Sequence, residues 1–330
     1  MVKQVFLAVL FSVAGIVLIF SFFSWHEIPT DFTIPYPSFL VLGFGVLVVA
    51  WSIDAIRVFL TTRAWGKKIG IGDAYNTVLS AYFFGGITPA NAGGSVAEIY
   101  VLNRAGLTWG EATSLTAICG ILYQMALVIM YFVLFLGSPA QIVVRSRLLS
   151  LIYSFFIVYA IAMAALFVCI QWPNPILRIT GKVLDWLERR FPRFDLSRQK
   201  TLGWIENFLG EFREGFAILF HRKPLYLFLN LGMHTVYFLC LFSVAQFVIL
   251  ALGITPSFST VVRLQIPVFF TFGVVPTPGA SGGVEIALTS TFALLLGGGR
   301  VGTFVFYWRI ITYYITLVIG GIAFFRTLEK

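Results

Sequence analysis

The sequence predicts an all-α polytopic membrane protein, with about six full transmembrane helices and two opposed re-entrant helical hairpins in an inverted-repeat architecture. Three observations predict it. Of 330 residues, 59% are hydrophobic and 11% charged, and the mean hydropathy is +0.91. A soluble domain carries about 25% charged residues, so there is too little polar surface here to coat a water-soluble fold. Apolar runs long enough to cross a bilayer recur, where a β-barrel would show short alternating segments. Finally, two apolar regions are broken by one motif. Residues 88–94 read "TPANAGG" and residues 277–283 read "TPGASGG", both T-P-x-x-x-G-G, and a glutamate follows each, Glu98 and Glu285.

The six runs lie at roughly 4–24, 38–61, 112–136, 148–171, 225–252 and 301–325. The first follows Lys3, yet it is too long for the apolar stretch of a signal peptide, and no small-x-small cleavage site follows "FSFFSWHEIP". It reads as a retained anchor. The broken regions are 73–104 and 257–297. Lysine and arginine placement sets orientation. The first loop, 25–37, has none; 62–72 has Arg63, Lys67 and Lys68; 172–224 has ten. A re-entrant hairpin at 73–104 keeps both basic loops on the cytoplasmic side, whereas a single crossing there would put the ten-charge loop outside. The same reading sends 225–252 outward and returns 301–325 to a cytoplasmic end at Arg326 and Lys330, leaving Arg145, Arg147 and Arg300 outside. The expectation is a single integral membrane domain, 1–330. It has a first half, 1–147, a cytoplasmic amphipathic linker, 172–224, and a second half, 225–330. It lies multi-pass in a bacterial or archaeal plasma membrane with both termini cytoplasmic.

Irregular backbone at membrane depth is tolerated only where protein or a water-filled cavity satisfies it. Pro89 and Pro278 would stop the inbound half-helices, and Gly93, Gly94, Gly282 and Gly283 would let the chain turn. Each outbound half-helix then begins deep in the membrane, where unpaired amides and the positive dipole end favour an anion. Thr88, Thr277 and Ser95 would add hydroxyls. A packing turn between close helices is the alternative for either copy alone; opposed hairpins instead mark transporters.

The motifs, their spacing and a late span containing "FYWRIITYYITLVIGG" resemble the flippase-like membrane domain of lysylphosphatidylglycerol synthases, over nearly the whole chain, in a stand-alone member without the synthetase domain. The family pattern maps onto Pro89, Gly93, Gly94 and Glu98. It continues at Pro276, Thr277, Pro278, Gly279 and Glu285, and at Arg309 with Tyr313. The sequence departs from it where "AEIYVL" holds Ile99 and Tyr100 instead of an arginine, and where Gln124 replaces an Arg/Asp pair. The resemblance implies movement of a phospholipid or polyprenyl-linked lipid between leaflets, and does not imply lysylphosphatidylglycerol itself.

Charges inside a membrane are functional candidates by default. Arg309 sits about 13 Å into its span at 1.5 Å per residue, too deep to snorkel, and suits a forked contact with a lipid phosphate; an ion pair with Glu285 is the competing reading. Glu285 and Glu98 suit a proton or a cationic headgroup, or a capping role. Asp54 and Arg57 read as a local i,i+3 ion pair near the cytoplasmic end, and His234 as a hydrogen-bonded core residue. Cys119, Cys169 and Cys240 read as small buried hydrophobes. In 172–224 one stripe (Ile176, Ile179, Val183, Leu187, Phe191) and a second (Ile205, Phe208, Leu209, Phe212, Phe216, Leu219, Phe220) flank five basic residues. This is the pattern of interfacial helices drawn to anionic lipid. No metal, cofactor or nucleic-acid motif and no known hydrolase or phosphate-loop signature occurs, so an enzyme is not expected. Two alternatives stay open: an ion-coupled secondary transporter of a small polar or anionic solute, and a membrane-embedded transferase with Glu98 or Glu285 as base. A homodimer stays open as well.

Overall fold

The computed structural model describes residues 34–135, 157, 160–161, 164, 173–190, 198–270 and 275–329. The expected spans at 4–24 and, but for four positions, 148–171 lie outside the described residues, as does Cys169. What is described is helical, with no strand beyond one isolated β-bridge. Among the described residues, four helices are long and apolar enough to cross a membrane by length and composition: Ser38–Trp65, Trp109–Leu134, Leu225–Ala251 and Arg300–Leu328.

Along the chain, α1 is Ser38–Thr62, α2 Ile71–Ile87, α3 Ala92–Arg104 and α4 Trp109–Phe135. Then come α5, Pro173–Arg190; α6, Arg198–Ala217; and α7, Leu225–Ala251. The last are α8, Phe258–Phe269; α9, Gly283–Leu296; α10, Gly298–Arg309; and α11, Ile315–Glu329. A π-helical turn, Ile310–Tyr314, joins α10 to α11 so that the two run as one span. The order span, hairpin, span thus occurs twice, as α1, α2/α3, α4 and as α7, α8/α9, α10/α11.

The hairpin helices are short for a reason the sequence carries. At 1.5 Å per residue α2 and α3 are about 26 and 20 Å long and α8 and α9 about 18 and 21 Å, each less than a hydrocarbon core of about 30 Å. α2 ends at Ile87, directly before Thr88 and Pro89, and α3 and α9 start directly after the positive-φ residues Asn91 and Gly282. α8 departs from the expectation that Pro278 stops the inbound helix: it ends at Phe269, with Pro267 inside its last turn, well before the second motif. The first half closes where α2 packs along α11. There Gly320 lies against the Leu79 carbonyl and the Phe83 Cβ, an approach a side chain would block. The second half is built on aromatic burial: Phe238 and Phe242 of α7, Phe270, Phe292 of α9 and Phe304 of α10 are fully buried. The long spans α1 and α7 pack along each other and hold the halves together.

The two helices expected in 172–224 form, but only one keeps its apolar stripe free. On α5, Ile179, Val183 and Trp186 are exposed, beside exposed Arg178, Lys182 and Arg190. On α6 the stripe is instead a docking face: Phe208, Phe212, Phe216 and Phe220 form a ladder of rings 6.3, 5.1 and 5.9 Å apart. Leu209, Phe212 and Leu219 are buried, and Glu211 accepts a hydrogen bond from the Gly110 amide at the start of α4 (3.2 Å). Periodicity shows that a helix has an apolar face, not what covers it.

Candidate functional site: two hairpin tips over a charged cavity

The two T-P-x-x-x-G-G turns meet. Pro89 and Pro278 pair as an antiparallel β-bridge, so the tips of α2/α3 and α8/α9 touch across the centre of the fold. Each turn is held by its own threonine. The Thr88 hydroxyl donates to the Phe84 carbonyl (2.6 Å) and accepts from the Gly93 amide (2.8 Å). The Thr277 hydroxyl donates to the Ser281 carbonyl (2.7 Å).

The glycines act differently from the sequence reading. The left-handed positions of the first turn are Ala90 (φ +50°) and Asn91 (φ +60°); those of the second are Gly279 (+59°), Ala280 (+52°) and Gly282 (+84°). Of the four predicted turning glycines only Gly282 has a left-handed φ. Gly93 and Gly94 lie within α3, and serve close approach: a Cβ on Gly93 would sit 2.6 Å from Thr88 Cγ2 and 2.9 Å from the Phe84 carbonyl oxygen, and one on Gly94 3.0 Å from that of Ala81. Gly283 packs against Val275 in the same manner.

The amides expected to bind an anion are also partly engaged. The Gly93 amide goes to Thr88, those of Ala92 and Gly94 to the Pro89 and Asn91 carbonyls (3.1 and 3.2 Å), and the Gly282 amide to Glu285 Oε2 (2.7 Å). What the half-helices then offer is the field of their dipoles.

Behind the tips lies a cavity of about 500 Å³. Its wall on the side of the second half carries Arg309. The guanidinium pairs through Nε with Glu285 Oε1 (2.7 Å), donates through Nη1 to the Gly279 carbonyl (3.3 Å), and lies 5.0 Å from the centre of the Tyr313 ring. Its Nη2 is buried without a protein partner. The Tyr313 hydroxyl donates to the Gly86 carbonyl at the end of α2 (2.9 Å), tying this span to the other hairpin. The π-helical turn that carries Tyr313 begins directly after Arg309, and π-turns recur at functional sites.

The opposite wall carries a second charged group that sequence reasoning set aside. Arg57 Nε donates to Asp54 Oδ1 (2.6 Å), and the Tyr82 hydroxyl donates to Asp54 Oδ2 (2.6 Å). The i,i+3 pair is there as expected, and it is buried and lines the cavity. Glu98, His234, Tyr123 and Tyr237 complete that wall, with His234 edge-on to Tyr123 at 5.5 Å. Arg57 Nη1 and Glu98 Oε1 are buried without partners.

Of the sequence-predicted residues, Arg309, Glu98, Gly94, Ser95 and Tyr313 line the cavity. Glu285 stands behind Arg309. Thr88, Pro89, Gly93, Thr277, Pro278, Gly282 and Gly283 build the tips rather than the wall. The omitted wall residues Asp54 and Arg57 did carry a signal, since both are charges inside an apolar run.

Residues 5–320 match the family profile described as the lysylphosphatidylglycerol synthase TM region. The chain is also similar to a UPF0104 membrane protein of Archaeoglobus fulgidus, 23% identical over 295 residues that cover 88% of this chain and 87% of that one. No solved structure matches.

Proposed function

This chain belongs to the lysylphosphatidylglycerol synthase TM region family, and we propose that it is a flippase-like lipid translocase that moves a phospholipid or polyprenyl-linked lipid between leaflets. One observation carries the reading: two hairpin tips meet at Pro89 and Pro278 over a cavity that holds a buried arginine with a free N–H group. An unpartnered guanidinium nitrogen at membrane depth is expensive unless an anion visits it. A cavity of about 500 Å³ holds a headgroup, and the acyl or prenyl chains stay in the bilayer. Arg309 takes the phosphate, the α3 and α9 dipoles add their field, and Tyr313 and Ser95 offer further polar contacts. Glu285 keeps Arg309 in place when the site is empty. A family named for the membrane region of enzymes that make an aminoacylated phospholipid points the same way.

In this reading the two hairpins insert from opposite faces, as the repeated order span, hairpin, span and the antiparallel contact of their tips support. Both termini and α5/α6 lie in the cytoplasm, and the exposed Ile179–Val183–Trp186 stripe with its basic neighbours lies on anionic lipid. An impermeant thiol reagent should label Lys200→Cys only in inverted vesicles; labelling in intact cells would reverse the orientation.

The direct test is what the purified protein retains. Native mass spectrometry after incubation with a mixture of phospholipids and polyprenyl phosphate should show a bound lipid that Arg309→Gln loses. Retention of a water-soluble anion in place of lipid would favour a solute transporter, and turnover of the lipid headgroup would favour a transferase.

A further inference from the structure

Glu98 takes no part in holding a headgroup at Arg309. Its carboxylate lines the cavity, and Oε1 is buried with no hydrogen-bond partner. Its counterpart Glu285 accepts a hydrogen bond from the Gly282 amide on Oε2 and has a cation, Arg309, 2.7 Å from Oε1. The charged and titratable groups around Glu98 come from four helices: Asp54 and Arg57 of α1, Tyr82 of α2, Cys119 and Tyr123 of α4, and His234 and Tyr237 of α7. None of them forms an ion pair or hydrogen bond with its Oε1. The cation among these groups, Arg57, is already held by Asp54 at 2.6 Å and still presents a free Nη1, while the cavity's other arginine, Arg309, is paired with Glu285.

We infer that Glu98 is a proton-binding site coupled to the cavity's anion, so that the protein takes up one proton together with an anionic headgroup. This rests on the cavity being a phosphate site. The physical reason is charge. The carboxylates and guanidinium groups on and behind the two walls, Asp54, Arg57, Glu98, Glu285 and Arg309, sum to one negative charge when all are ionised. A phosphodiester entering that space meets a carboxylate with no partner, in surroundings where like charges repel far more than in water. A proton from solvent on Glu98 removes the repulsion, and the carboxyl O–H then becomes a donor toward the headgroup. When the headgroup leaves, the proton returns to solvent. Linkage makes the effect mutual: the anion favours the proton and the proton favours the anion to the same extent.

The probe is dioctanoyl phosphatidylglycerol, a phosphodiester whose own charge is constant between mildly acidic and mildly alkaline pH. Its affinity for the purified full-length protein is measured across that range. Affinity of the wild type should rise as pH falls, with a limiting slope of about tenfold per pH unit, the signature of one proton per ligand. Glu98→Gln should bind with the acid-limit affinity of the wild type at every pH. Glu98→Asp, which keeps a titrating carboxyl, should keep a slope with a moved midpoint, and serves if the glutamine variant does not fold. A flat wild-type profile, or an unchanged slope in Glu98→Gln, overturns the inference and leaves the phosphate site standing. Loss of the slope in His234→Asn alone would assign the proton to the imidazole and overturn it too. No binding at any pH would instead overturn the phosphate site.

Discussion

The two hairpin tips share the four fixed residues of one seven-residue motif and differ in what they do with them. In the tip of α8/α9 the following glutamate is two residues past the last glycine, within hydrogen-bond reach of the turn. Glu285 caps the Gly282 amide and pairs with Arg309. In the tip of α2/α3 it is four residues past, and the threonine caps the turn instead, with Thr88 accepting from Gly93. Glu98 is thereby released to the cavity wall. The same motif thus makes one half that is locked around its charge and another whose charge is free. A repeated backbone device guarantees symmetry of shape, and a shift of two residues in one side chain breaks the symmetry of chemistry.

The largest effect should come from unlocking the second tip. Arg309→Gln leaves Glu285 as a buried carboxylate that has lost its cation, and breaking a buried pair costs about 3–5 kcal/mol. Thermal unfolding in detergent should show this loss. Adding Glu285→Gln should recover most of the stability but not lipid binding, which separates the pair's structural part from the arginine's part in recognition. Full recovery of lipid binding in the double variant would mean that the arginine only neutralises Glu285. Arg309→Lys keeps the charge and loses the fork, so it should fold and bind lipid less well.

A middle effect should distinguish the glycines. Gly93→Val drives a branched side chain into Thr88 and the Phe84 carbonyl, and should cost the 1–3 kcal/mol typical of overpacking, with loss of the bond that caps α3. Gly282→Ala meets open space, so its penalty is only that of the backbone, φ +84° and ψ −52°, a γ-turn conformation strained for a side chain by about 1–3 kcal/mol. Unfolding midpoints of the two variants should fall in that order. The reverse order would mean that the turn conformation, not the close approach, limits the tips.

How much of this was legible follows from where each feature is encoded. The two broken turns and the Arg309–Glu285 pair could be read from the sequence, because proline and glycine in an apolar run and a charge inside one are each costly enough to need a reason. The location of the left-handed residues was not legible: glycine is the expected choice, yet Ala90, Asn91 and Ala280 take those conformations while Gly93, Gly94 and Gly283 are reserved for contact. The Asp54–Arg57 pair was legible as a pair and not as a wall. Its i,i+3 spacing accounts for the bond, and only the packing of α2 back onto α1, seen in the Tyr82–Asp54 contact, places it in the cavity. What covers the α6 stripe was not legible for the same reason, since its partner α4 is distant in the chain.

The claim that joins these parts is that Arg309 receives a lipid headgroup as the lipid passes between leaflets. Proteoliposomes containing a tail-labelled fluorescent phospholipid, with a membrane-impermeant reductant added outside, measure that passage directly. The wild type should bleach well beyond the outer-leaflet half within the assay, while folded Arg309→Gln should stop near that half, as protein-free vesicles do. Leaflet exchange by Arg309→Gln at the wild-type rate would contradict the account.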